Sequence, residues 1–300
     1  MPDERIDSVK KAGRILAEAR NYGATLVRAG ERALDVANAV ESKIRELGGE
    51  PAFPTNVSFN HIAAHDLPDH EDVRKFNEGD VVKLDIGAHV KGWVTDSAVT
   101  IVVGKNDVGE KIKQAAELAL QNAIKLMIPE NTIGQVSASI EKTIRDAGFN
   151  PVINLTGHGV GQYEVHASPA IPNIATKSPY VLKEGDVFAI EPFVTTGMGM
   201  VKETSGTQIY RWLNDRHTRF PESTKILKIA KEKYSKLPFA KRWLVKDAGV
   251  TPAKLALVLR GLVEIGSLYE YPPLREVSDA LVAQAEHTVI VGKEPVMVTA

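Results

Sequence analysis

An α+β fold built by duplication is the architecture that this chain predicts, and three observations carry the prediction. The string EGDVVKLD at 78–85 returns as EGDVFAIE at 184–191. Each copy runs through mostly apolar positions to a carboxylate, Asp85 in the first and Glu191 in the second. Each copy also follows two helix-patterned segments, so the order helix, helix, strands occurs twice. Antiparallel strands packed under helices are the economical product of such a repeat.

Each element has its own signal. Residues 3–28 put Ile6, Val9, Ala12 and Ile15 on one helical stripe. A second helix, Ala33 to Leu47, stops at GGEP, where glycine precedes proline. AFPTNVSFNHIAAHDLP mixes turn formers with β-branched residues and reads as strand, loop, strand. Residues 78–104 form strands around a turn near AHVKG, and helices follow at about 107–127 and 132–147. The glycine- and histidine-rich NLTGHGVGQYEVHASP precedes the second EGDV strand. Residues 207–270 break the repeat. They read as three short helices, the third started by a threonine cap and a proline, and so as a helical insertion in a main domain of residues 1–206 and 271–300. HTVIVG and PVMVT supply the final strands.

Composition narrows the chemistry. An apolar content of 43% is ample for a core, and a formal net charge of −1 points to no polyanionic partner for the whole chain. The absence of cysteine excludes disulfides and thiolate chemistry, so carboxylates and histidines must hold any metal. The first residues are charged, unlike a secretory signal, and no apolar run approaches the ~20 residues of a transmembrane helix. The expectation is a soluble, cytoplasmic protein with no membrane contact.

Asp85 and Asp96 lie eleven positions apart in one apolar hairpin. A reversal at Val90-Lys91 sets them directly opposite, with Cβ atoms about 4.5–5.5 Å apart. Two bare carboxylates that close repel, so one is protonated or a cation lies between them; a polar face open to water is the alternative. His158 in TGHGVG, Glu191, and Glu286 in QAEHTVIVG extend the set. A histidine in a glycine-rich loop is often only a turn residue, so the set carries the reading. Two Asp, one His and two Glu suit a pair of divalent cations roughly 3.5–4 Å apart that activate a water.

These residues sit within FPTNVSFN, KLDIGAHVKGWVTD, GHGVGQYEVH, IEPF, YPPL and EHT, which span nearly the whole chain. With them the sequence resembles the methionine aminopeptidases of type II, which have the duplicated pita-bread fold. The ordered acids and histidine also mark the wider fold family of prolidases, aminopeptidase P and creatinase. The resemblance implies that Asp85, Asp96, His158, Glu191 and Glu286 ligate two divalent metal ions (Co, Mn, Fe or Zn). Asp96 and Glu286 would bridge, Asp85 would serve one ion, and His158 and Glu191 the other. Glu191 also matches the general base, and His65 and His166 match two catalytic histidines that are not ligands. Phe53, His65, Val165, His166, Phe193 and Tyr271 match the substrate pocket. The implied reaction removes the N-terminal methionine of nascent polypeptides when the second residue is small.

Glu286 follows Glu191 by 95 positions, and the insertion between them is the type II mark. The chain opens on its first repeat, as in the archaeal form, and is expected to act as a monomer. The stretch TTGMGMVKETSGTQIYRW aligns with no clear family pattern, so no pocket residue is carried over from it. Two rivals stand: a proline-directed peptidase of the same fold, and a metal-free binding homologue, which the presence of all five ligands argues against. Residues 221–260 carry ten Lys or Arg against three Asp or Glu. Three solvated amphipathic helices would explain that excess. So would a transient, salt-sensitive ribosome contact through Lys241, Arg242 and Lys246, with Trp243 stacking or in the core.

Overall fold

The computed structural model describes residues 4–300. Helices α1 (Glu4–Leu26) and α2 (Ala33–Glu46) precede β1 (Glu50–Phe59), β2 (Ile62–Ala64), β3 (Val81–Val90) and β4 (Trp93–Val102). Then come α3 (Asp107–Ile124), α4 (Ile133–Asp146), β5 (Asn150–Pro151), β6 (Thr156–Gly161), β7 (Glu164–Pro172), β8 (Val187–Ile190), β9 (Phe193–Thr195) and β10 (Val201–Glu203). Residue 3, the first of the expected opening helix, lies outside the described residues.

The duplication is visible bond by bond. Gly79 and Gly185 take φ of +89° and +86°, values that an L side chain resists, which is why each EGDV turn needs its glycine. The Gly79 amide donates to Val103 O (2.7 Å) and the Gly185 amide to Val291 O (2.9 Å). The Asn77 amide donates to Asp80 Oδ2 (2.8 Å) and the Lys183 amide to Asp186 Oδ2 (3.0 Å). Both turns thus aim a strand the same way.

Alternation along those strands separates core from site. Val82, Leu84 and Ile86 face α1 and α2, packing with Leu16, Val36, Val40 and Ile44. Phe188, Ile190 and Val289 pack with Ile112, Leu120, Val136 and Ile140 of α3 and α4. The intervening residues, Asp85 and Glu191 among them, therefore face the concave side between the halves.

The β3–β4 register corrects one expectation. The ladder closes as Val90↔Trp93, which places Asp85 across from Ala98 and Asp96 across from Gly87. The two acids are diagonal rather than directly opposite. The turn residues are Lys91 and Gly92, with φ of +53° and +84°, a two-residue hairpin in which β-branched Val90 is spared a positive φ. A shift of two preserves the shared face, so the acids still converge.

The insertion contains more than helices. After β11 (Ile209–Trp212) come α5 (Glu222–Ile229), a π-helical turn (Ala230–Tyr234), β12 (Phe239–Ala240), α6 (Lys241–Ala248), α7 (Pro252–Glu264) and β13 (Leu268–Tyr271). The three strands pair in the order β12-β11-β13. Then β14 (Leu274–Glu276), β15 (Val282–Gln284), β16 (His287–Ile290) and β17 (Val296–Met297) complete the chain, and β17-β16-β8-β6-β7 form a five-stranded sheet.

A second correction concerns the basic face. Arg242 and Trp243 do not point outward. Arg242 is buried and ion-paired through Nη2 with Glu41 of α2, and Trp243 Nε1 donates to Glu41 Oε2 at 2.9 Å. Lys241 pairs with Asp69 at 3.2 Å. These cations dock the insertion onto the first repeat, because a carboxylate buried beneath it has to be matched. Lys246 alone of the three is exposed.

Candidate metal centre

The concave face is closed by a seam of hydroxyls between β4 and the last strands. Thr288 Oγ1 accepts from the Asp96 amide and donates to its carbonyl, both at 2.8 Å. Ser97 Oγ donates to Glu286 O (2.8 Å) and Thr100 Oγ1 to Gln284 O (2.7 Å). Serine and threonine here satisfy backbone groups that no sheet partner reaches. The seam brings Asp96 beside Glu286, which are 190 positions apart in sequence. Glu191 and Glu286 sit immediately beyond the pair His287↔Ile190 and so meet at the mouth of that ladder.

His158 enters from β6. Its Nδ1 lies 3.1 Å from Gly159 O, and a carbonyl only accepts, so Nδ1 carries the proton. Nε2 is left as a lone pair, 3.5 Å from Glu191 Oε1 and 3.8 Å from Asp96 Oδ2. Burial holds this imidazole down at about 4, so it is neutral, as a metal ligand must be. Burial raises all four acids. Asp85 is pushed up to about 7, and Asp96, Glu191 and Glu286 rise well above the usual carboxylate range because they also repel neighbouring acids.

Among the described residues no lysine or arginine is ion-paired with any of these acids. Asp85 Oδ1, Asp96 Oδ1 and Glu286 Oε1 are buried without a hydrogen-bond partner. Asp96, His158 and Glu286 offer ligand atoms all within 4.8 Å of one another. Unpartnered carboxyl oxygens beside a neutral imidazole are the donor set of a hard or borderline divalent cation, so the residues fit one.

All five expected ligand residues line one cavity of about 210 Å³. So do Phe53, His65, Val165, His166, Phe193 and Tyr271. His65 has a φ of +61°, an uncommon conformation for a residue with a Cβ, and its Nδ1 donates to Pro272 O at 3.3 Å. The His166 ring stands edge-on to His158 (4.5 Å between centroids) and 6.1 Å from Tyr271. His166 is open to solvent on its outer side, but enclosure in the cleft, with the His158 and His65 rings and the Arg211 guanidinium disfavouring a further cation there, keeps it well below the ordinary histidine range.

Several residues around the site escaped the sequence reading, three of them instructive. Gln284 Nε2 donates to Glu191 Oε2 at 3.2 Å, and its place as an amide two positions before Glu286 was a usable signal. Asn56 lines the cavity across from Asp85, a pairing that only the register reveals. Ile209 lines it from the stretch that matched no pattern.

A pocket for one side chain, with acids and a neutral imidazole at its base, defines a metal-dependent hydrolase centre. The chain belongs to metallopeptidase family M24, whose profile matches residues 7–218. It is similar to the methionine aminopeptidase of Thermococcus onnurineus, with 46% identity over 299 residues and 99% of each chain covered. The crystal structure of the Thermotoga maritima methionine aminopeptidase superposes with a TM-score of 0.74 at 26% identity, covering 100% of this chain and 98% of that one. A thermophilic Arx1 shares the fold, with a TM-score of 0.87 at 18% identity and coverage of 99% and 91%.

Proposed function

We infer that this chain is a metallo-aminopeptidase that removes the N-terminal methionine of polypeptides. The observation that carries this is the convergence of five ligand-type side chains and an apolar pocket on one small cavity. Asp85, Asp96, His158, Glu191 and Glu286 would hold two divalent ions. Such ions, when bound, polarise the first carbonyl, anchor the free amine and acidify a water. Glu191, reaching the cavity from the end of β8, takes a proton from the water as its oxygen adds to the carbonyl carbon, and delivers it to the nitrogen that leaves when the C–N bond breaks. Neutral His166 donates a hydrogen bond to the carbonyl oxygen as charge develops there, and His65 lies toward the leaving group. Phe53, Val165, Phe193 and Tyr271 enclose the unbranched thioether, and His65 limits the second residue to a small one. Residues 1–206 and 271–300 supply the acids, and 207–270 supply a wall through Ile209 and Pro238.

A role on nascent chains places the protein in the cytoplasm, and we take it to act there as a monomer. No described helix is long and apolar enough to cross a membrane. A ribosome contact would have to use exposed lysines such as Lys228 and Lys246, since Lys241 and Arg242 are engaged elsewhere.

The test is methionine release from Met-Ala-Ser by chelator-treated protein given Mn, Fe, Co or Zn in turn, with Ala-Pro as control. Release from the first peptide alone is expected. Cleavage of Ala-Pro instead points to the proline-directed rival, and no cleavage with any metal points to a binding homologue.

A further inference from the structure

A second cavity, of about 320 Å³, opens where the first one ends. Val165, His166, Pro238 and Tyr271 border both, so the two cavities adjoin. Its remaining lining comes from the chain between β6 and β7 (Gln162, Tyr163, Glu164) and from Arg211, Trp212, Leu213 and Lys236. An extended peptide advances about 3.3–3.6 Å per residue, so a third residue lies about 7 Å beyond the first, far enough to reach from one cavity into the next.

Arg211 is placed for a role there. It sits on β11, half-buried, with its guanidinium 5.7 Å from the centre of the Tyr269 ring and beside the Tyr271 hydroxyl. Its Nε is buried without a partner. Among the described residues no carboxylate is ion-paired with Arg211 or with exposed Lys236. Glu164, which is exposed, is the only acid among the lining residues, so cations outnumber it. An unpaired guanidinium in a partly enclosed groove favours a carboxylate, and its planar fork suits that ligand better than an ammonium does.

Resting on the aminopeptidase reading above, we propose that this groove binds the substrate downstream of its second residue, and that Arg211 selects polypeptides with Asp or Glu at the third position. The amide-capped peptides Met-Ala-Asp-Ala, Met-Ala-Ala-Ala and Met-Ala-Lys-Ala separate the ideas, since capping removes the terminal carboxylate as a competitor. For the parent, kcat/KM should rank Asp above Ala above Lys. The Asp-to-Lys ratio should be about tenfold at low salt, and smaller as salt screens the groove. Arg211→Met should bring that ratio within about twofold of unity, and Arg211→Glu should invert it. A purely structural role would lower all three rates together and leave the ratio alone. Equal kcat/KM across the peptides in the parent, or a ratio unchanged in Arg211→Met, overturns the proposal. Should Arg211→Glu fail to fold, the methionine variant and the salt series decide. Failure of the parent to release methionine from any of the three would overturn the aminopeptidase reading instead.

Discussion

Glu41 and Glu286 are carboxylates with 3% and 1% of their surface exposed, yet their surroundings have almost nothing in common. Glu41 is matched on every side: Arg242 pairs with it, Trp243 donates at 2.9 Å and the Thr55 amide at 3.1 Å. Glu286 faces Asp96, Glu191 and Asp85, each of which raises it further, and one of its oxygens has no partner. Burial pushes both carboxyls up, and only at Glu41 do a cation and hydrogen bonds pull back. The first arrangement is a completed dock between insertion and repeat. The second is stable as an ionised group only when a cation from outside joins it, which is the signature of a site rather than of a scaffold.

The sharpest way to break this comparison is to remove charge where the acids share it. Asp96→Asn should abolish methionine release, by at least about 10³-fold, and lower bound metal measured by elemental analysis, because ionised oxygens hold the cation. Retention of a tenth of the activity at normal metal content would refute a bridging role. Glu191→Gln should follow, with kcat lower by about 10²–10⁴-fold and KM little changed, since the amide occupies the place but takes no proton. His166→Ala should cost about 10²–10³-fold in kcat if its N–H supports the oxyanion.

Stability should divide the two clusters by sign. Arg242→Met strands Glu41 and should destabilise the fold by about 3–5 kcal/mol in urea unfolding. Glu286→Gln in chelator-treated protein should be neutral or stabilising, because the amide is uncharged without the proton that Glu286 has to take up to stay buried among other acids. Destabilisation by both would erase the distinction.

The smallest effect is a pH trend. Asp85, raised to about 7 from the ordinary 3.8, holds a proton in the folded chelated protein across a window in which the unfolded chain has lost it. That contribution is fully present below about 3.8 and is lost as pH rises through about 7. A cation binding the ionised form acts in the opposite sense. The gain in melting temperature on adding Mn or Co should therefore grow from about pH 5.5 to about pH 7.5, by a few degrees for each kcal/mol of added binding. A gain independent of pH would remove Asp85 from the ligand set.

How much of this was legible in the chain depended on the range of the interaction. Asp85, Asp96, His158, Glu191 and Glu286 could be read in order, since each acid stands at the end or in the face of an apolar strand, where an unpaired charge is costly. The EGDV turns could be read too, because a positive φ at Gly79 and Gly185 is a local demand. The hairpin register was misjudged by one residue at the turn, since Val90 and Lys91 look alike as turn candidates until φ is known. Ile209, Asn56 and the inward turn of Arg242 were out of reach. Their partners are strands or helices far along the chain, and nothing near them in sequence marks the contact.

The sequence by itself determined the repeat, the helix stripes, the strand faces and the identity of the acids, all set by side-chain period and backbone torsion within a few residues. Tertiary structure alone decided that the hydroxyls of Ser97, Thr100 and Thr288 would bring Asp96 to Glu286. It alone decided that His158 would be protonated on Nδ1, and that Lys241 and Arg242 would dock rather than solvate. Those outcomes depend on which backbone groups lack a partner and which buried charge needs one, and that is known only once the two halves and the insertion have closed on each other.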